Sequence, residues 1–207
     1  MRNLEEIATA AEGVPGWIEG EDAREVARAS YELPDDPTIV ELGVYMGRST
    51  VLLAGPRALR GSGVVHSVDP FDCSGDAFSV PHYVDGLRAT GLDSLELAFR
   101  RQIDRTGLDR WVEVHRGTAL EVAVGWSGPV DLLLLDADQS PAEARAAYDA
   151  WLPYVKRGGT LVLLNSGDRE YAEGHDGYRR LAVEEIVAPR YLDIRHVRHA
   201  TIATKGF

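Results

Sequence analysis

Three acidic residues lie at or near the ends of apolar runs, where their side chains could act on a ligand. Glu41 lies in TIVELGV, Asp69 ends VVHSVD, and Asp136 ends VDLLLLD. Apolar runs of this length are typical of buried strands, and a carboxylate is costly to bury without a partner. We therefore expect these acids to emerge at the edge of a sheet and to face a ligand that carries positive charge or hydroxyl groups.

A glycine turn follows the first of these runs. Gly43 and Gly47 flank it, and Tyr45 occupies the position where a full dinucleotide-binding pattern has its central glycine. An acid about 20 residues beyond such a turn commonly accepts hydrogen bonds from a ribose diol, and Asp69 has that spacing from Gly47. The pattern favours a nucleoside site, although a plain strand-to-helix turn, with Asp69 capping the chain before Pro70, would give the same residues.

Short apolar runs alternate with amphipathic segments along the whole chain. We predict strands at 38–44, 64–69, 111–115, 130–136 and 160–165, helices opening at 47 and spanning 92–106, 119–124, 140–152 and 178–186, and a terminal hairpin of 192–198 with 201–205. The alternation predicts a parallel sheet covered on both faces, with the ligand at the carboxyl ends of its strands. Ser140 to Glu143 has the form of a capping box, and Gly158 and Gly159 are predicted to form a turn.

Two segments lie outside this alternation. Residues 71–91 have no clean period but contain several aromatic residues, so we predict an insertion that acts as a substrate loop or lid. Residues 1–35 are predicted to form an N-terminal helical cap on a single domain that spans residues 1–207. Within the cap, Trp17 is a candidate to close over the site or to pack on a partner subunit.

Composition narrows the class of partner. The net charge is −11, from 22 basic and 33 acidic residues, which argues against nucleic acid or an anionic membrane as the main partner. The only cysteine is Cys73, so no disulfide can form within the chain and a reducing compartment is expected. With neither a signal-peptide pattern nor a membrane span in the sequence, we expect a cytoplasmic protein.

Five motifs together carry a resemblance to a known family: ELGVYMGRST, HSVDPF, HRGTALE, VDLLLLDAD and KRGGTLVLL. In order and spacing, the chain resembles the class I S-adenosylmethionine-dependent methyltransferases over roughly residues 36–207. It is most similar to the small bacterial natural-product branch that includes the macrocin and sugar O-methyltransferases. The resemblance implies a Rossmann-like sheet of seven mostly parallel strands, with helices on both faces and the last strand antiparallel.

The resemblance also implies a role for individual residues. The cofactor would be S-adenosylmethionine, whose cations, diol and carboxylate suit acids at strand ends and the amino end of a helix. Its methionine end would contact Gly43, Tyr45 and Gly47, with Glu41, Ser49 and Asp136 close by. Asp69 would hold the ribose, while Thr118 and Ala119 would border the adenine.

The residue that removes a proton from the methyl acceptor is less clear from the motifs. Gln139 occupies the position where relatives often have a histidine, and glutamine cannot take up a proton near neutral pH. His82 in the predicted lid is the best-placed alternative base. Asp136 could itself be the base, or could anchor the ammonium group of the cofactor. The sequence indicates no partner for three further histidines: His66, His115 and His175.

In many relatives a divalent metal such as Mg²⁺ polarises the acceptor hydroxyl, and its first ligand would correspond to Asp136. The other ligands would follow the fifth strand, where this chain has Asn165, Ser166 and Asp168. An amide, a hydroxyl and a displaced acid form a poor magnesium site, because the ion prefers carboxylate and water oxygens. We expect transfer without a metal and keep the metal-dependent mechanism as the alternative.

Together these patterns predict a methyltransferase that acts on a small molecule, most simply on an oxygen of a sugar or another secondary metabolite. A cofactor-binding homologue with lost or altered activity is the alternative, and a nicotinamide-dependent enzyme is a weaker third hypothesis. The sequence identifies neither the acceptor nor the oligomeric state, although relatives are often dimers or larger, so a homo-oligomer is kept open.

Overall fold

A seven-stranded sheet forms the centre of the molecule, which a computed structural model describes over residues 1–206. The strands are β1 (Thr38–Leu42), β2 (Val64–Asp69), β3 (Val112–Arg116), β4 (Val130–Leu135), β5 (Val155–Leu163), β6 (Tyr191–Val197) and β7 (Ala200–Lys205). Their order across the sheet is β3-β2-β1-β4-β5-β7-β6, and β7 runs antiparallel to both of its neighbours. The Rossmann-like fold predicted from the motifs is confirmed.

Eight α-helices accompany the sheet in the described part of the chain. They are α1 (Leu4–Glu12), α2 (Gly20–Tyr31), α3 (Arg48–Arg60), α4 (Ser79–Ala89), α5 (Leu95–Thr106), α6 (Ala119–Gly125), α7 (Pro141–Trp151) and α8 (Gly177–Glu184). Helices α1 and α2 lie in the segment predicted to be a cap, and both pack against α3. None of the helices is long and apolar enough to cross a membrane.

The consecutive leucines of β4 explain how the sheet is held. Leu132 and Leu134 belong to one hydrophobic core, whereas Leu133 and Leu135 belong to a second core on the other side. Side chains alternate between the two faces of a strand, so a strand buried on both faces is apolar throughout. From β1 the chain first adds strands on one side (β2, β3) and then on the other (β4, β5), so the strand order reverses between β1 and β4. Sheets of this kind bind ligands at that point.

Three local predictions were wrong. The segment 71–91 is not irregular throughout, because α4 spans most of its second half. Its proline, Pro81, lies in the first helical turn, where a missing N–H leaves no helical bond unmade. Gly158 and Gly159 do not end a turn before β5 but lie inside it, at a shift in its register with β4. Ser140 precedes α7 without making a side-chain capping bond.

Candidate active site

A cavity of about 1020 Å³ opens over the carboxyl ends of the central strands. It lies where the strand order reverses, as the fold predicts. The predicted site residues that line it are Gly43, Tyr45, Ser49, Asp69, His82, Thr118, Ala119, Asp136 and Gln139. The fold therefore brings most of the predicted residues to one chamber, including the three candidates for catalysis.

The turn after β1 forms part of the cavity wall. Gly43 has a φ of +81°, and a Cβ there would overlap the backbone carbonyl oxygen of Asp136. Only glycine allows the turn to approach the end of β4 this closely. Tyr45 follows with a φ of +49°, a left-handed conformation that is uncommon for a bulky residue and occurs most often at functional sites.

Asp69 holds this turn in place. Its Oδ2 accepts hydrogen bonds from the backbone N–H groups of Val44 (2.8 Å) and Tyr45 (3.2 Å), and its Oδ1 accepts one from Phe71 (2.7 Å). Burial raises the pKa of Asp69, and the three N–H donors oppose that rise. A carboxylate offers about four acceptor positions, so one position on Oδ1 is left for a ligand hydroxyl.

Two predicted cofactor residues do not line the cavity. Glu41 is fully buried below it, where its Oε2 accepts hydrogen bonds from Thr50 (2.7 Å) and Ser67 (3.2 Å). Burial raises the pKa of Glu41 to about 7, and three hydroxyl donors oppose the rise. Gly47 precedes α3 with a φ of +94°, and its missing side chain makes room for Phe99 of α5. Both residues support the cavity from behind.

At the adenine end predicted from the motifs, α6 begins with a complete capping box. The Thr118 hydroxyl accepts from the backbone N–H of Glu121 (3.2 Å), and the Glu121 carboxylate accepts from the backbone N–H of Thr118 (2.9 Å). The box fixes the first turn of α6, and with it Ala119, at the cavity wall.

Asp136 lies half-buried at the end of β4. Its Oδ1 accepts a hydrogen bond of 2.9 Å from the side-chain amide of Gln139. Burial raises the pKa of Asp136 to about 8, a rise that the Gln139 donor opposes and the negative charge of Glu41 increases. A carboxyl group that titrates near neutral pH can both accept and release a proton under working conditions.

A polar network extends from Asp136 across the cavity floor. Gln139 Oε1 accepts from Asn165 Nδ2 (3.2 Å), which also lies 3.0 Å from Nε2 of His175. His175 Nδ1 lies 3.1 Å from Oδ1 of Asp76, close enough for a hydrogen bond between them. The structure therefore assigns His175 a buried acidic partner that the sequence did not reveal.

Asp76 connects this network to the predicted lid. Its Oδ1 accepts from the backbone N–H groups of Phe78 (3.0 Å) and Ser79 (3.1 Å), and its Oδ2 accepts from the Ser79 hydroxyl (2.7 Å). Burial favours the neutral form, but these donors and His175 outweigh it and lower the pKa of Asp76. Asp76 thus caps the start of α4 while it bonds to His175, which fixes α4 beside the cavity.

The residues after β5 do not fit a magnesium site. Asn165 Oδ1 accepts from the guanidinium of Arg169, so a cation already occupies this position. Ser166 is buried and donates to the carbonyl of Leu163 (2.9 Å), while Asp168 is bound to Arg179 (2.9 Å). All three side chains therefore already have protein partners, which makes them a poor set of oxygen ligands for Mg²⁺.

Three aromatic rings form one wall of the cavity. The ring centroids of Trp17 and Tyr45 are 4.9 Å apart, those of Tyr45 and Tyr83 are 5.4 Å apart, and those of Trp17 and Tyr83 are 5.7 Å apart. Gly86 of α4 makes room for the Tyr45 hydroxyl, which a Cβ there would overlap. Trp17 remains 58% exposed, so the wall presents an uncovered apolar face to a ligand.

His82 also reaches the cavity, but without an acidic partner. It is exposed, and its Nδ1 lies 2.8 Å from the carbonyl oxygen of Phe78, to which an Nδ1–H can donate. That bond leaves Nε2 with the lone pair when the ring is neutral.

Asp138 accepts a hydrogen bond of 2.8 Å from the backbone N–H of Ser140 and so shapes the turn into α7.

Sequence reasoning missed Asp76, His175 and Tyr83 as members of the site. His175 lies about 100 residues from Asp76, and no local spacing connects such a pair. Tyr83 has a detectable signal, because it and Phe78 are aromatic residues in the segment predicted to be a lid. If the helix α4 had been predicted from the sequence, the spacing of Ser79, His82 and Tyr83 would have placed these residues on one face of it.

Comparison with known structures agrees with the fold. The structure resembles cofactor-bound Rv0187 from MTB (TM-score 0.65, 19% identity, 98% of this chain and 87% of that one). It also resembles the O-methyltransferase TomG from Streptomyces achromogenes, involved in tomaymycin synthesis and solved with SAM (TM-score 0.63, 17% identity, 99% and 89%). A third likeness is to an rRNA methylase from Streptococcus thermophilus (TM-score 0.60, 12% identity, 92% and 100%).

A family model adds evidence from the sequence itself. The model described as a methyltransferase domain matches residues 40–165, from β1 to the end of β5, which is more than half of the chain. The matched range contains the glycine turn, Asp69, Thr118 and Asp136. The chain therefore belongs to this family of methyltransferase domains, which confirms the predicted class of S-adenosylmethionine-dependent methyltransferase.

Proposed function

We propose that this methyltransferase transfers a methyl group from S-adenosylmethionine to a hydroxyl oxygen of a small molecule, such as a sugar or another secondary metabolite. The observation that carries the proposal is the position of Asp136: a carboxyl group with a pKa of about 8 in a cavity walled by aromatic rings. When bound, the cofactor supplies an electrophilic methyl group on a sulfonium.

The chain offers a complementary group for each part of the cofactor. The first turn of α3, with Ser49, provides backbone N–H groups for the carboxylate. The free acceptor position on Asp69 suits a ribose hydroxyl, and the α6 start at Thr118 and Ala119 borders the adenine. When it is ionised, Asp136 supplies negative charge near the methionine end. Gly43 and Tyr45 complete the wall between these groups.

In this proposal the hydroxyl oxygen of the acceptor takes the methyl group, and Asp136 receives the proton of that hydroxyl. S-adenosylhomocysteine is the product that leaves. Gln139 holds the carboxyl group by its 2.9 Å bond and, through Asn165, fixes it to the Asp76–His175 pair. General-base assistance of this kind contributes roughly 10²–10⁴-fold to a rate. His82 is the second candidate base, because it lies on α4 and lines the same cavity.

No step in the proposal uses a metal. Asn165 is bound by Arg169, Ser166 by the Leu163 carbonyl and Asp168 by Arg179, so these side chains are poor candidates for a magnesium site beside Asp136. Methyl transfer should therefore proceed at the same rate when Mg²⁺ is added. A rate that depends on Mg²⁺ would restore the metal-dependent mechanism of other family members.

The aromatic wall and the charge of the chain indicate the acceptor class. Trp17, Tyr45 and Tyr83 suit the apolar face of a sugar or aromatic ring, and the net charge of −11 disfavours RNA. The structural neighbour TomG is an O-methyltransferase, whereas the Streptococcus thermophilus neighbour is an rRNA methylase. We propose that this chain, like TomG, methylates a small molecule and that it acts in natural-product metabolism in the cytoplasm.

Two measurements test the proposal. Calorimetry should show binding of S-adenosylhomocysteine in the micromolar range, and absence of binding would exclude the cofactor assignment. A mass-spectrometric screen of glycosylated, phenolic and amine acceptors, with an rRNA fragment as one arm, should then find a methylated hydroxyl compound. Methylation of the rRNA or of an amine alone would contradict the acceptor class. Cofactor binding without any turnover would favour the homologue with lost activity.

A further inference from the structure

The edge of the sheet carries a second cluster of residues that could bind a ligand, apart from the cavity. His66 of β2 is aligned with Glu113 of the edge strand β3, and His115 follows Glu113 by two positions. Residues two apart on a strand share a face, and aligned residues on neighbouring strands lie side by side. The three side chains therefore meet on one face of a two-strand ladder.

The distances within this triad of His66, Glu113 and His115 are those of ligands around one centre. His66 Nδ1 lies 3.0 Å from His115 Nε2. Oε2 of Glu113 lies 3.7 Å from His66 Nδ1, and Oε1 of Glu113 lies 3.6 Å from His115 Nε2; both distances are too long for hydrogen bonds. Ligand atoms bound to Zn²⁺ at about 2.0–2.2 Å lie about 3–3.5 Å apart, so the triad is close to the spacing that the ion requires.

The surroundings fit a site with one covered side and one open side. Trp126 packs edge-on against both imidazoles, with centroid distances of 5.0 Å to His66 and 5.7 Å to His115. The side chains of His66 and His115 are only 19% and 26% exposed, whereas that of Glu113 is 59% exposed. An apolar wall limits access of water, while the exposed carboxylate leaves a path by which an ion can enter.

Charge favours a cation at this position. The Glu113 carboxylate supplies negative charge, in a chain whose net charge is −11. Two imidazoles and one carboxylate form a common ligand set for zinc and related divalent ions, with a water molecule in the remaining position.

We propose that His66, Glu113 and His115 bind one zinc-class divalent cation, and that this ion ties the edge strand β3 to β2. The site is independent of the methyl-transfer chemistry, because none of its three residues lines the cavity. Its ligands come from two adjacent strands, so the ion would add a cross-link at the open edge of the sheet. Strand β3 leads directly into the Thr118 cap of α6, so the cross-link would also steady that helix start.

Zinc binding can be measured directly on the full chain, prepared without a histidine tag and freed of metal with a chelator. Titration with ZnCl₂ in a calorimeter should show one equivalent bound per chain. Titration with CoCl₂ should give visible absorption bands typical of nitrogen and oxygen ligands. The His115→Ala variant should lose at least about tenfold in affinity for both ions, because a ligand bond is removed.

Matched variants separate this site from others. His196→Ala removes an exposed histidine of β6 and should bind zinc as the wild type does. Asp136→Asn tests the cavity and should also leave the zinc affinity unchanged. Glu113→Gln changes an exposed side chain and should weaken binding without disturbing the fold. Because zinc binds the folded chain, it should raise the melting temperature of the wild type more than that of Glu113→Gln.

The proposal fails if the wild type binds no zinc, or if zinc affinity is lost in Asp136→Asn and kept in His115→Ala. It also fails if both Glu113→Gln and His115→Ala, shown by circular dichroism to be folded, bind zinc as the wild type does. These results would leave the triad as a plain stacked histidine pair beside a surface carboxylate.

Discussion

The network at Asp136 and the triad at His66 both place histidine next to carboxylate, but they are built differently. In the cavity, Asp76 and His175 come from two connections far apart in the chain. The single carboxylate of Asp76 accepts hydrogen bonds from Phe78 and Ser79 and lies within bonding distance of His175. At the sheet edge, the triad is set by strand register, and its carboxylate forms no close bond to either imidazole.

This difference indicates what each cluster needs. A buried network with satisfied hydrogen bonds resists change and fixes the positions of its members, so its removal costs stability even without a ligand. A partly exposed triad whose one close bond joins its two imidazoles contributes little alone and gains mainly when an ion binds. The following predictions test this contrast, from the largest expected effect to the smallest.

Asp76→Ala should cause the largest loss of stability. The change removes the acceptor of the buried Ser79 N–H, of the partly buried Phe78 N–H and of His175 Nδ1, at a cost of about 3 kcal/mol in the free energy of unfolding. Urea unfolding measures this change. Asp72→Ala is the control, because Asp72 accepts only a local bond from Ser74 near the surface. Equal effects of the two variants would show that the network does not hold α4.

Asp136→Asn should cause the largest loss of activity. Asparagine preserves the shape of the side chain but cannot take up the acceptor proton, so kcat/KM should fall about 100-fold or more. The wild-type rate should rise with pH up to about pH 8, where Asp136 loses its proton. Asp149→Asn provides the control, since Asp149 is an exposed carboxylate of α7 that does not line the cavity. A variant that keeps the wild-type rate would remove Asp136 as the base and leave His82 as the candidate.

Glu41→Gln should change how stability depends on pH. The folded pKa of Glu41 is about 7, above the ordinary value of 4.5, so the folded chain holds a proton that the unfolded chain releases between these values. The free energy of unfolding therefore falls as the pH rises through this window, by about 2 kcal/mol between pH 5 and 8. Glutamine cannot ionise, so the variant should lose this fall and be more stable than the wild type at pH 8.

Melting curves at pH 5 and pH 8 measure this difference, and Glu143→Gln, a change of a solvent-exposed carboxylate, is the control. If the wild type and Glu41→Gln lose the same stability between the two pH values, Glu41 is ionised in the folded protein and the buried carboxyl does not contribute to the pH dependence.

The contrast between the clusters also shows how far the sequence alone can lead. Apolar runs with acids at their ends predicted the sheet, the cavity and the position of Asp136, because these depend on local pattern and on strand polarity. The helix α4 was missed because Pro81 and Gly86 weaken its local signal, and its stability comes from Asp76 and from packing beside Tyr45. Such tertiary support overrides intrinsic propensity and leaves no periodic trace.

Side-chain partners were harder to predict than backbone elements. Glu41 was expected in the site, but the depth of β1 places it below the cavity, where Thr50 and Ser67 bond to it. His66 and His115 lie on strands that were both recognised, yet their contact required the register of β2 against β3. A one-residue shift of register would turn one imidazole to the other face of the sheet.

The smallest effect is expected for His115→Ala without metal. The side chain is partly exposed, lacks a close bond to Glu113 and makes one hydrogen bond with His66, so its removal should lower the free energy of unfolding by about 1 kcal/mol. With zinc present, the same variant should fall further behind the wild type, because only the wild type gains the binding free energy. Chemical unfolding of both proteins with a chelator and with zinc measures the two differences. A large loss that is the same in both conditions would make His115 a packing residue beside Trp126, so the triad would resemble the network at Asp136 rather than contrast with it.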